Sequence, residues 1–320
     1  MRYINDRNTV ELFRKINELQ SPYSQKGTKD SERVSITDLS VDDLKEMTLD
    51  VFHELKLKVN QVAYGYANSL LITGASGLGK TYDTEQALDK SGKEYESISG
   101  GVSTAGLFEL LFTRNDEIIL FDDCDSVFGN QESVNILKAA LDSGTVRKVS
   151  RNIKTHFNTR GMSMEDIMAN YEGDESKAYN KSLFDIKNKG KLPQSFIYTG
   201  RIIFISNFSG DEIDPTIITR VSAHVDIDLS HQEVIERMNM IIKAVRPQVP
   251  LDKKEEVLRV MDYLHTHYVT RYPITIRGLI NAIDTRVAND FLTNAGGRSV
   301  PMWQLLLKKD MLGNKVIKRD

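Results

Sequence analysis

The sequence predicts an α/β domain with a parallel sheet flanked by helices, followed by a small all-helical domain. Two observations lead to this fold class. Between residues 69 and 229, short apolar segments alternate with helical stretches, a pattern typical of a parallel sheet covered by helices on both faces. After residue 230 the apolar residues recur at helical spacing only, and Pro247 and Pro250 separate two of the helices.

Five apolar segments are the predicted strands. They are Leu70–Thr73, Tyr95–Ser99, Ile118–Phe121, Ile202–Ser206 and His224–Leu229. Together with the helices, these strands divide the chain of 320 residues into three regions. The regions are an N-terminal helix and arm (1–40), an α/β domain (41–229) with an insertion at 145–200, and a helical domain (230–320).

Capping patterns predict where helices begin. Ser40 opens a helix expected to run to about Val59, and Ser230 opens another expected to run to about Val245, because each serine is followed three residues later by a carboxylate. Two or three further helices are expected, at Lys253–Tyr268, Thr275–Asn289 and Pro301–Lys308.

Composition indicates a soluble cytoplasmic protein. The net charge of -3 provides no general attraction to nucleic acid or membrane, so any such contact must come from a local patch. No segment approaches the roughly 18 uninterrupted apolar residues that cross a bilayer, and residues 1–10 do not resemble a signal peptide. Cys124 is the only cysteine, so we expect no internal disulfide, a reducing compartment and a packing role for this residue.

A glycine-rich segment after the first strand is the strongest motif. It matches the pattern G-x-x-x-x-G-K-[ST] and lies between an apolar strand and a helix, the context that a phosphate-binding loop requires. Glycines let backbone N–H groups turn toward a phosphate, and Lys80 in the first turn of a helix opposes the helix dipole unless an anion lies there. The predicted nucleotide-binding residues are Gly74, Ala75, Ser76, Gly77, Leu78, Gly79, Lys80, Thr81 and Tyr82.

Two carboxylates end the third predicted strand. Asp122 and Asp123 follow the apolar run Ile118–Phe121, about forty residues after the loop. Because ligands gather at the carboxyl ends of parallel strands, we expect Asp122 to join Thr81 in binding Mg²⁺. Asp123 is then placed to orient or activate the attacking water.

These motifs resemble those of AAA+ ATPases, and the resemblance extends from about Val62 to the C-terminus. It implies an enzyme that hydrolyses ATP with Mg²⁺ and assembles into a homo-oligomeric ring, with a hexamer expected. Segment 122–126 resembles the Walker B motif, but Asp123 stands where the family usually carries glutamate. Since aspartate is shorter, a switch that binds ATP and barely hydrolyses it stays an alternative. The absence of an N-K-x-D signature after the loop favours adenine over guanine.

The resemblance implies roles for residues outside the loop. Asn207 corresponds to sensor 1, an amide that bonds the attacking water or the γ-phosphate. Arg220 corresponds to the arginine finger, which reaches the nucleotide of a neighbouring subunit. Arg277, in the first turn of a predicted helix, corresponds to sensor 2 of the lid. Val62 and Tyr64, just before the first strand, lie where the family places adenine.

The substrate is the least determined property. Over residues 145–201 there are eleven Lys or Arg against six Asp or Glu. Aromatic residues lie among them, including Tyr171, Tyr179, Phe184 and Tyr198. Cations with interleaved rings suit a nucleic-acid groove, so nucleic acid is the leading predicted partner. A protein substrate is the second prediction, although segment 100–104 lacks the aromatic residue that protein-threading family members carry there.

Overall fold

A computed structural model describes residues 49–144, 146–151, 195–208 and 212–319. The predicted N-terminal helix and arm, and most of the predicted insertion, lie outside the described residues. In chain order, the elements are α1 (Val51–Ala63), β1 (Ser69–Gly74), α2 (Lys80–Ser91), β2 (Tyr95–Ser99), α3 (Thr104–Thr113), β3 (Ile118–Asp122), α4 (Gln131–Ala140), β4 (Arg147–Ser150), β5 (Ser195–Tyr198), β6 (Arg201–Ile205), α5 (Pro215–Ile218), β7 (Ala223–Ile227), α6 (His231–Ile241), α7 (Leu251–His267), α8 (Ile276–Ala288), β8 (Leu292–Ala295), β9 (Arg298–Pro301) and α9 (Met302–Leu312).

The central sheet has five parallel strands in the order β2-β3-β6-β1-β7. All five predicted strands are present in it, which confirms the predicted α/β fold class. Strand β6 lies between β1 and β3, so the carboxyl ends of these three strands meet at one edge of the sheet. The phosphate loop follows β1, Asp122 ends β3, and Asn207 follows β6.

The strands are nearly continuous apolar runs because helices cover the sheet. Leu70, Leu71 and Ile72 of β1 are completely buried. On the neighbouring strands, Phe121 and Phe204 stack with their ring centroids 5.3 Å apart. Burial of each such side chain stabilises the fold by about 2 kcal/mol, so the sheet is a firm support for the polar residues at its edge.

Helix α1 begins at Val51 and extends beyond its predicted end at about Val59. Asp50 is its N-cap, and the Asp50 carboxylate accepts a 2.8 Å hydrogen bond from the N–H of His53. A helix that continues through residues 49 and 50 is therefore wrong, because Asp50 accepts a bond from an N–H group of a helix start. The predicted start at Ser40 lies outside the described residues. At the other end, the guanidinium of Arg201 donates to the carbonyl oxygens of Val62 and Ala63 at 2.9 Å each, which stabilises the helix beyond its predicted end.

A second, antiparallel sheet of two strands lies within the predicted insertion. Strands β4 and β5 pair with Arg147 opposite Tyr198 and Ser150 opposite Ser195. These strands were not predicted from the sequence, because each has only four residues and β4 contains two cations. Burial alternates along β4, with Arg147 and Val149 facing inward.

Contacts divide the chain into two compact units. The first consists of residues up to Gly74 and of Thr81–Ile227, and the second consists of Ala75–Lys80 and Asp228–Asp320. The second unit contains α6 to α9, and α6 begins with the capping box that was predicted at Ser230. Among the described residues, no helix combines the length and the apolar character needed to cross a membrane.

The second unit also contains a β-hairpin, so the prediction of an all-helical domain is wrong there. Strands β8 and β9 pair antiparallel around Gly296 and Gly297, whose φ values are 59° and 77°. Positive φ at both central positions is what a two-residue type I′ turn requires, and glycine adopts it without steric cost. The Gly-Gly pair is therefore a hairpin signal that the helical spacing of the surrounding residues obscured.

Candidate nucleotide-binding site

The phosphate loop joins the end of β1 to the start of α2. Gly74, Gly77 and Gly79 have φ values of 129°, 80° and 93°, which residues other than glycine rarely adopt. A Cβ atom at Gly74 would lie 2.3 Å from the carbonyl oxygen of Ile227 in the neighbouring strand β7. Both the backbone conformation and the available space therefore require glycine at the point where the chain leaves the sheet.

The side chains at the start of α2 provide a cation and an oxygen ligand. Lys80 is buried, and its ammonium group donates to the carbonyl oxygen of Ala75 at 2.9 Å. The hydroxyl of Thr81 donates to Oδ1 of Asp122 at 3.0 Å. This contact brings together the two residues predicted to bind Mg²⁺. Hydroxyl and carboxylate oxygens are donors that Mg²⁺ prefers, so this pair fits the ion.

Asp123 and Asn207 form a second polar pair at the same edge of the sheet. Nδ2 of Asn207 donates to Oδ1 of Asp123 at 2.6 Å. Asp123 has a left-handed backbone with φ of 53°, a conformation that costs a non-glycine residue about 1 kcal/mol. Its N–H donates to the carbonyl oxygen of Ile205 at 3.1 Å. The chain therefore turns out of β3 at Asp123, and the carboxylate is held by the amide that follows β6.

A buried serine connects the turns after β3 and β6. Oγ of Ser206 donates to Oδ1 of Asp125 at 2.6 Å and accepts a 3.0 Å hydrogen bond from the N–H of Phe208. Ser206 is completely buried and immediately precedes Asn207. The hydrogen bonds of Ser206 thus limit the positions available to the amide that holds Asp123.

Glu85 is an acidic residue of this region that the sequence analysis missed. Burial, followed by the nearby carboxylates of Asp122 and Asp89, raises the pKa of the Glu85 side chain. Glu85 follows Thr81 by four residues in α2, and this spacing places both on one helix face. That spacing is the signal in the sequence that could have indicated Glu85. Its carboxyl group adds to the acidic surroundings of the proposed Mg²⁺ ligands.

The predicted arginine finger and sensor 2 residue are both exposed. Arg220 lies just after α5, a short helix with Asp214 as its N-cap. Arg277 lies in the first turn of α8, whose N-cap Thr275 accepts a 3.0 Å hydrogen bond from the N–H of Gly278. Their roles toward a nucleotide stay predictions.

The predicted adenine residues differ in the surface that they offer. Val62 is completely buried, and its carbonyl oxygen accepts a hydrogen bond from Arg201. Tyr64 is half-buried, with the ammonium group of Lys93 5.7 Å from its ring centroid. Tyr82, in the first turn of α2, is 62% exposed. Tyr64 and Tyr82 therefore have surface available for a base, and the Val62 side chain has none.

Three residues that were counted toward a nucleic-acid groove are engaged inside the first unit. The guanidinium of Arg147 donates to the carbonyl oxygens of Ala140 and Gly200 at 3.0 and 2.7 Å, and it lies 5.0 Å from the ring centroid of Tyr198. Tyr198 is itself only 1% exposed, and Arg201 caps α1. Burial lowers the pKa of both arginines. The expectation that these three residues face nucleic acid is wrong, because buried carbonyl oxygens need donors.

Cys124 packs inside the protein next to the two carboxylates. It is 3% exposed, and its thiol donates to the carbonyl oxygen of Ile98 at 3.3 Å. Burial raises the pKa of the thiol to about 11, so it stays protonated at neutral pH. In the part of the chain that the structure describes, no group of three or more His, Cys, Asp or Glu side chains is arranged to hold a metal ion.

The glycine-rich loop, the contact between Thr81 and Asp122 and the parallel α/β sheet together form a candidate phosphate-binding site. No protein-family model matches the chain. The chain is 29% identical over 229 residues to an uncharacterized 36.7 kDa protein of enterobacteria phage T4, from the nrdC-mobD intergenic region. The alignment covers 67% of this chain and 61% of that relative, so less than two thirds of the relative is spanned.

Two solved structures illustrate a weaker similarity. The RuvB Holliday junction branch migration motor of Thermotoga maritima has a TM-score of 0.41 at 12% identity, over 80% of this chain and 64% of that chain. A structure described as a DNA replication initiation factor has a TM-score of 0.37 at 12% identity, over 77% of this chain and 64% of that chain. At these values, the assignment of function rests on the residues of the chain itself.

Proposed function

We propose that this protein is an AAA+ ATPase that hydrolyses ATP to ADP and phosphate with Mg²⁺. The supporting observation is the pair of contacts at one edge of the sheet, where Thr81 bonds Asp122 at 3.0 Å and Asn207 bonds Asp123 at 2.6 Å. These residues come from the segments after β1, β3 and β6. A glycine-rich turn that only resembles a phosphate loop would have no reason to place a hydroxyl group on the carboxylate that ends β3.

Each group has a chemical role in this proposal. Lys80 and the backbone N–H groups of the loop bind the β- and γ-phosphates, because the start of a helix favours anions. Thr81 and Asp122 would hold Mg²⁺, which supplies positive charge to the phosphate oxygens when bound. Asp123 orients the attacking water or accepts its proton, and Asn207 holds the Asp123 carboxylate in place.

The charge needed for cleavage comes from a neighbouring subunit in this proposal. Arg220 acts as an arginine finger in a homo-oligomeric ring, and Arg277 contributes from the second unit. Both side chains are exposed, as a residue that contacts an external group must be. An arginine finger lowers the barrier by neutralising charge that develops in the transition state, with effects of about 10³-fold or more.

The first experiment is a measurement of phosphate release by the purified protein. Lys80→Ala is expected to reduce turnover to background. Lys90→Ala is the matched control, because Lys90 is an exposed lysine at the other end of the same helix and should not alter turnover. Turnover by Lys80→Ala equal to that of the parent would refute the assignment of the site.

Mixed oligomers test whether Arg220 acts between subunits. The Arg220→Ala variant keeps the loop, and the Lys80→Ala variant keeps the finger, so each alone should be inactive. In a mixed oligomer, some interfaces join a subunit that has Lys80 to a subunit that has Arg220. Activity should therefore return in part. If the mixture stays as inactive as its components, Arg220 does not act in trans.

Nucleic acid is the proposed substrate class. After Arg147 and Arg201 are set aside, residues 145–201 keep nine cations against six carboxylates, so a smaller positive excess still supports this assignment. Turnover should rise with single-stranded or duplex DNA and fall steeply with added salt. Stimulation by an unfolded polypeptide but not by DNA would favour a protein-remodelling ATPase instead.

A slowly hydrolysing switch is the second candidate function, and one observation favours it. The short carboxylate of Asp123 is already paired with Asn207 at 2.6 Å on a left-handed backbone, which reduces its freedom to approach water. A switch would bind ATP tightly and assemble with it, while phosphate release stays near background under all conditions. Turnover that DNA accelerates would exclude this candidate.

A further inference from the structure

Backbone hydrogen bonds connect the C-terminal segment of the second unit to the end of α7. Tyr268 and Lys318 form an antiparallel bridge. On either side of it, the N–H of Val269 donates to the carbonyl oxygen of Ile317 at 2.8 Å, and the N–H of Arg319 donates to that of His267 at 3.0 Å. Residues 317–319 are thus held in a defined position next to α7.

The segment between α7 and α8 is hydrogen-bonded to the end of α9, close to the C-terminal segment. The N–H of Arg271 donates to the carbonyl oxygen of Met311 at 2.7 Å, near the end of α9. A Cβ atom at Gly313 would lie 3.2 Å from Cδ of Arg271, which shows how closely this side chain passes the turn after α9. The two connections bring residues from three parts of the chain into one surface. We call it the C-terminal strip, and it consists of Tyr263, Arg271, Tyr272, Lys315, Lys318 and Arg319.

The C-terminal strip is positively charged within a chain that is slightly acidic overall. Residues 308–320 contain five Lys or Arg against two Asp, whereas the whole chain has a net charge of -3. All four cations of the strip are exposed. Elsewhere in this unit Arg246 pairs with Asp284 at 2.6 Å. Among the residues 49–144, 146–151, 195–208 and 212–319, no carboxylate pairs in this way with the cations of the strip.

The tyrosines of the strip are exposed, and their rings lie against neighbouring side chains. Tyr263 is 53% exposed, and its ring lies 4.3 Å from the ring of His267 and 6.3 Å from that of Tyr268. Tyr272 is 66% exposed, with the guanidinium of Arg271 5.5 Å from its ring centroid. Rings held in this way lose little conformational entropy when they stack on a ligand.

We propose that the C-terminal strip binds single-stranded nucleic acid, with its cations on the phosphates and its two tyrosines stacked on bases. Cations next to exposed rings suit a polymer that alternates phosphates and bases. A single strand is favoured over a duplex because only unpaired bases expose their faces. The inference rests on the proposed nucleic-acid function and assigns to it a surface in the second unit.

The test is fluorescence anisotropy with a labelled oligothymidylate of about 20 nucleotides, without ATP, at salt concentrations from about 50 to 200 mM. The double variant Lys318→Gln/Arg319→Gln should weaken binding about tenfold or more and lower the slope of log K against log salt by about 1.4, since each phosphate contact to a single strand contributes about 0.7. The charge-matched control is Lys243→Gln/Arg298→Gln, which removes two exposed cations of the same unit outside the strip. This control should change neither quantity by more than about a quarter of that effect.

The tyrosines have a different expected signature. Tyr263→Leu/Tyr272→Leu should weaken binding about tenfold or more while the salt slope stays that of the parent, because stacking does not release counterions. Far-UV circular dichroism and the fluorescence of Trp303, which is buried in this unit, should match those of the parent for every variant. A variant that fails this comparison is replaced by the corresponding single substitutions, which change less of the surface.

The outcomes separate this inference from the proposed function. If the parent binds the oligonucleotide and the strip variants bind it equally well, the inference is wrong and nucleic-acid binding lies elsewhere. If the tyrosine variant alone is unaffected, the stacking part is wrong. If the parent binds no nucleic acid, the proposed substrate class fails together with the inference, and the ATPase proposal still stands or falls on the Lys80→Ala measurement.

Discussion

Substitution of Arg147 by methionine should destabilise the first unit by about 3 kcal/mol. The guanidinium donates two buried hydrogen bonds, to Ala140 at 3.0 Å and to Gly200 at 2.7 Å, and it lies over the ring of Tyr198. Two bonds from a charged donor contribute about 2 kcal/mol each, and the cation–π contact contributes about 1 kcal/mol. The methionine side chain fills part of the space and recovers about 2 kcal/mol through apolar burial.

Urea unfolding measures this loss. With a denaturant slope of about 3 kcal/mol per M, the midpoint followed by far-UV circular dichroism should fall by about 1 M. Trp303 is the only tryptophan and lies buried in the second unit, so its fluorescence reports that unit, and its midpoint should shift less. Lys148→Met is the control, because Lys148 is the exposed neighbour in β4 and should change stability by less than about 0.5 kcal/mol.

The same variant decides between two interpretations of this arginine. If Arg147→Met unfolds at the midpoint of the parent but loses affinity for DNA, the guanidinium faces nucleic acid and the inward contacts described above are wrong. If it unfolds earlier and the remaining folded protein binds DNA normally, the cation is structural. Affinity should therefore be measured well below the urea concentration at which the variant begins to unfold.

Three further perturbations test the site and the second unit. Asp123→Glu should raise the rate of phosphate release severalfold, because the longer side chain reaches further toward the phosphate; an unchanged or lower rate would contradict this. Gly77→Ala should weaken binding of fluorescent ATP about tenfold or more, since φ is 80° and the new Cβ would lie 3.0 Å from Cβ of Thr275. Gly92→Ala is its control, because φ there is 66° and the space around it is open. Burial lowers the pKa of His265 to about 4, so the folded state favours the neutral ring. The stability from the neutral His265 ring is fully present above pH 6.5 and is lost as pH falls toward about 4. In urea unfolding, His265→Gln should reduce the loss of unfolding free energy over that window by about 1 kcal/mol after allowance for solvent screening.

Local patterns in the sequence predicted most of the fold. Strands β1, β3 and β6 are apolar runs that only a sheet covered on both faces can bury, so their type and their places along the chain could be inferred. The predicted phosphate loop could be recognised in the sequence equally well, because glycine spacing and a lysine at a helix start are local requirements of anion binding. The hairpin at Gly296 was not predicted, because its turn signal is only two residues long and lies between helices.

Burial of polar groups could not be inferred from the sequence. Counting cations over residues 145–201 treats every arginine alike, yet Arg147 and Arg201 are bound to carbonyl oxygens and Lys148 is exposed. Which cation turns inward depends on acceptors far away in the chain, such as the carbonyl of Gly200, 53 residues from Arg147. The C-terminal strip likewise exists only because backbone bonds bring residues 267–272 and 311–319 together.

The sequence by itself predicted a phosphate loop, an acidic end of the third strand and a polar residue after the fourth strand, because each is a local pattern with a local physical cause. Only the tertiary structure decided that these residues meet, since the position of β6 between β1 and β3 sets which strand ends are neighbours. It also decided that Asn207 holds Asp123 and that Thr81 reaches Asp122. Distances between residues far apart in the chain depend on how the strands pair, and strand pairing is a property of the whole sheet.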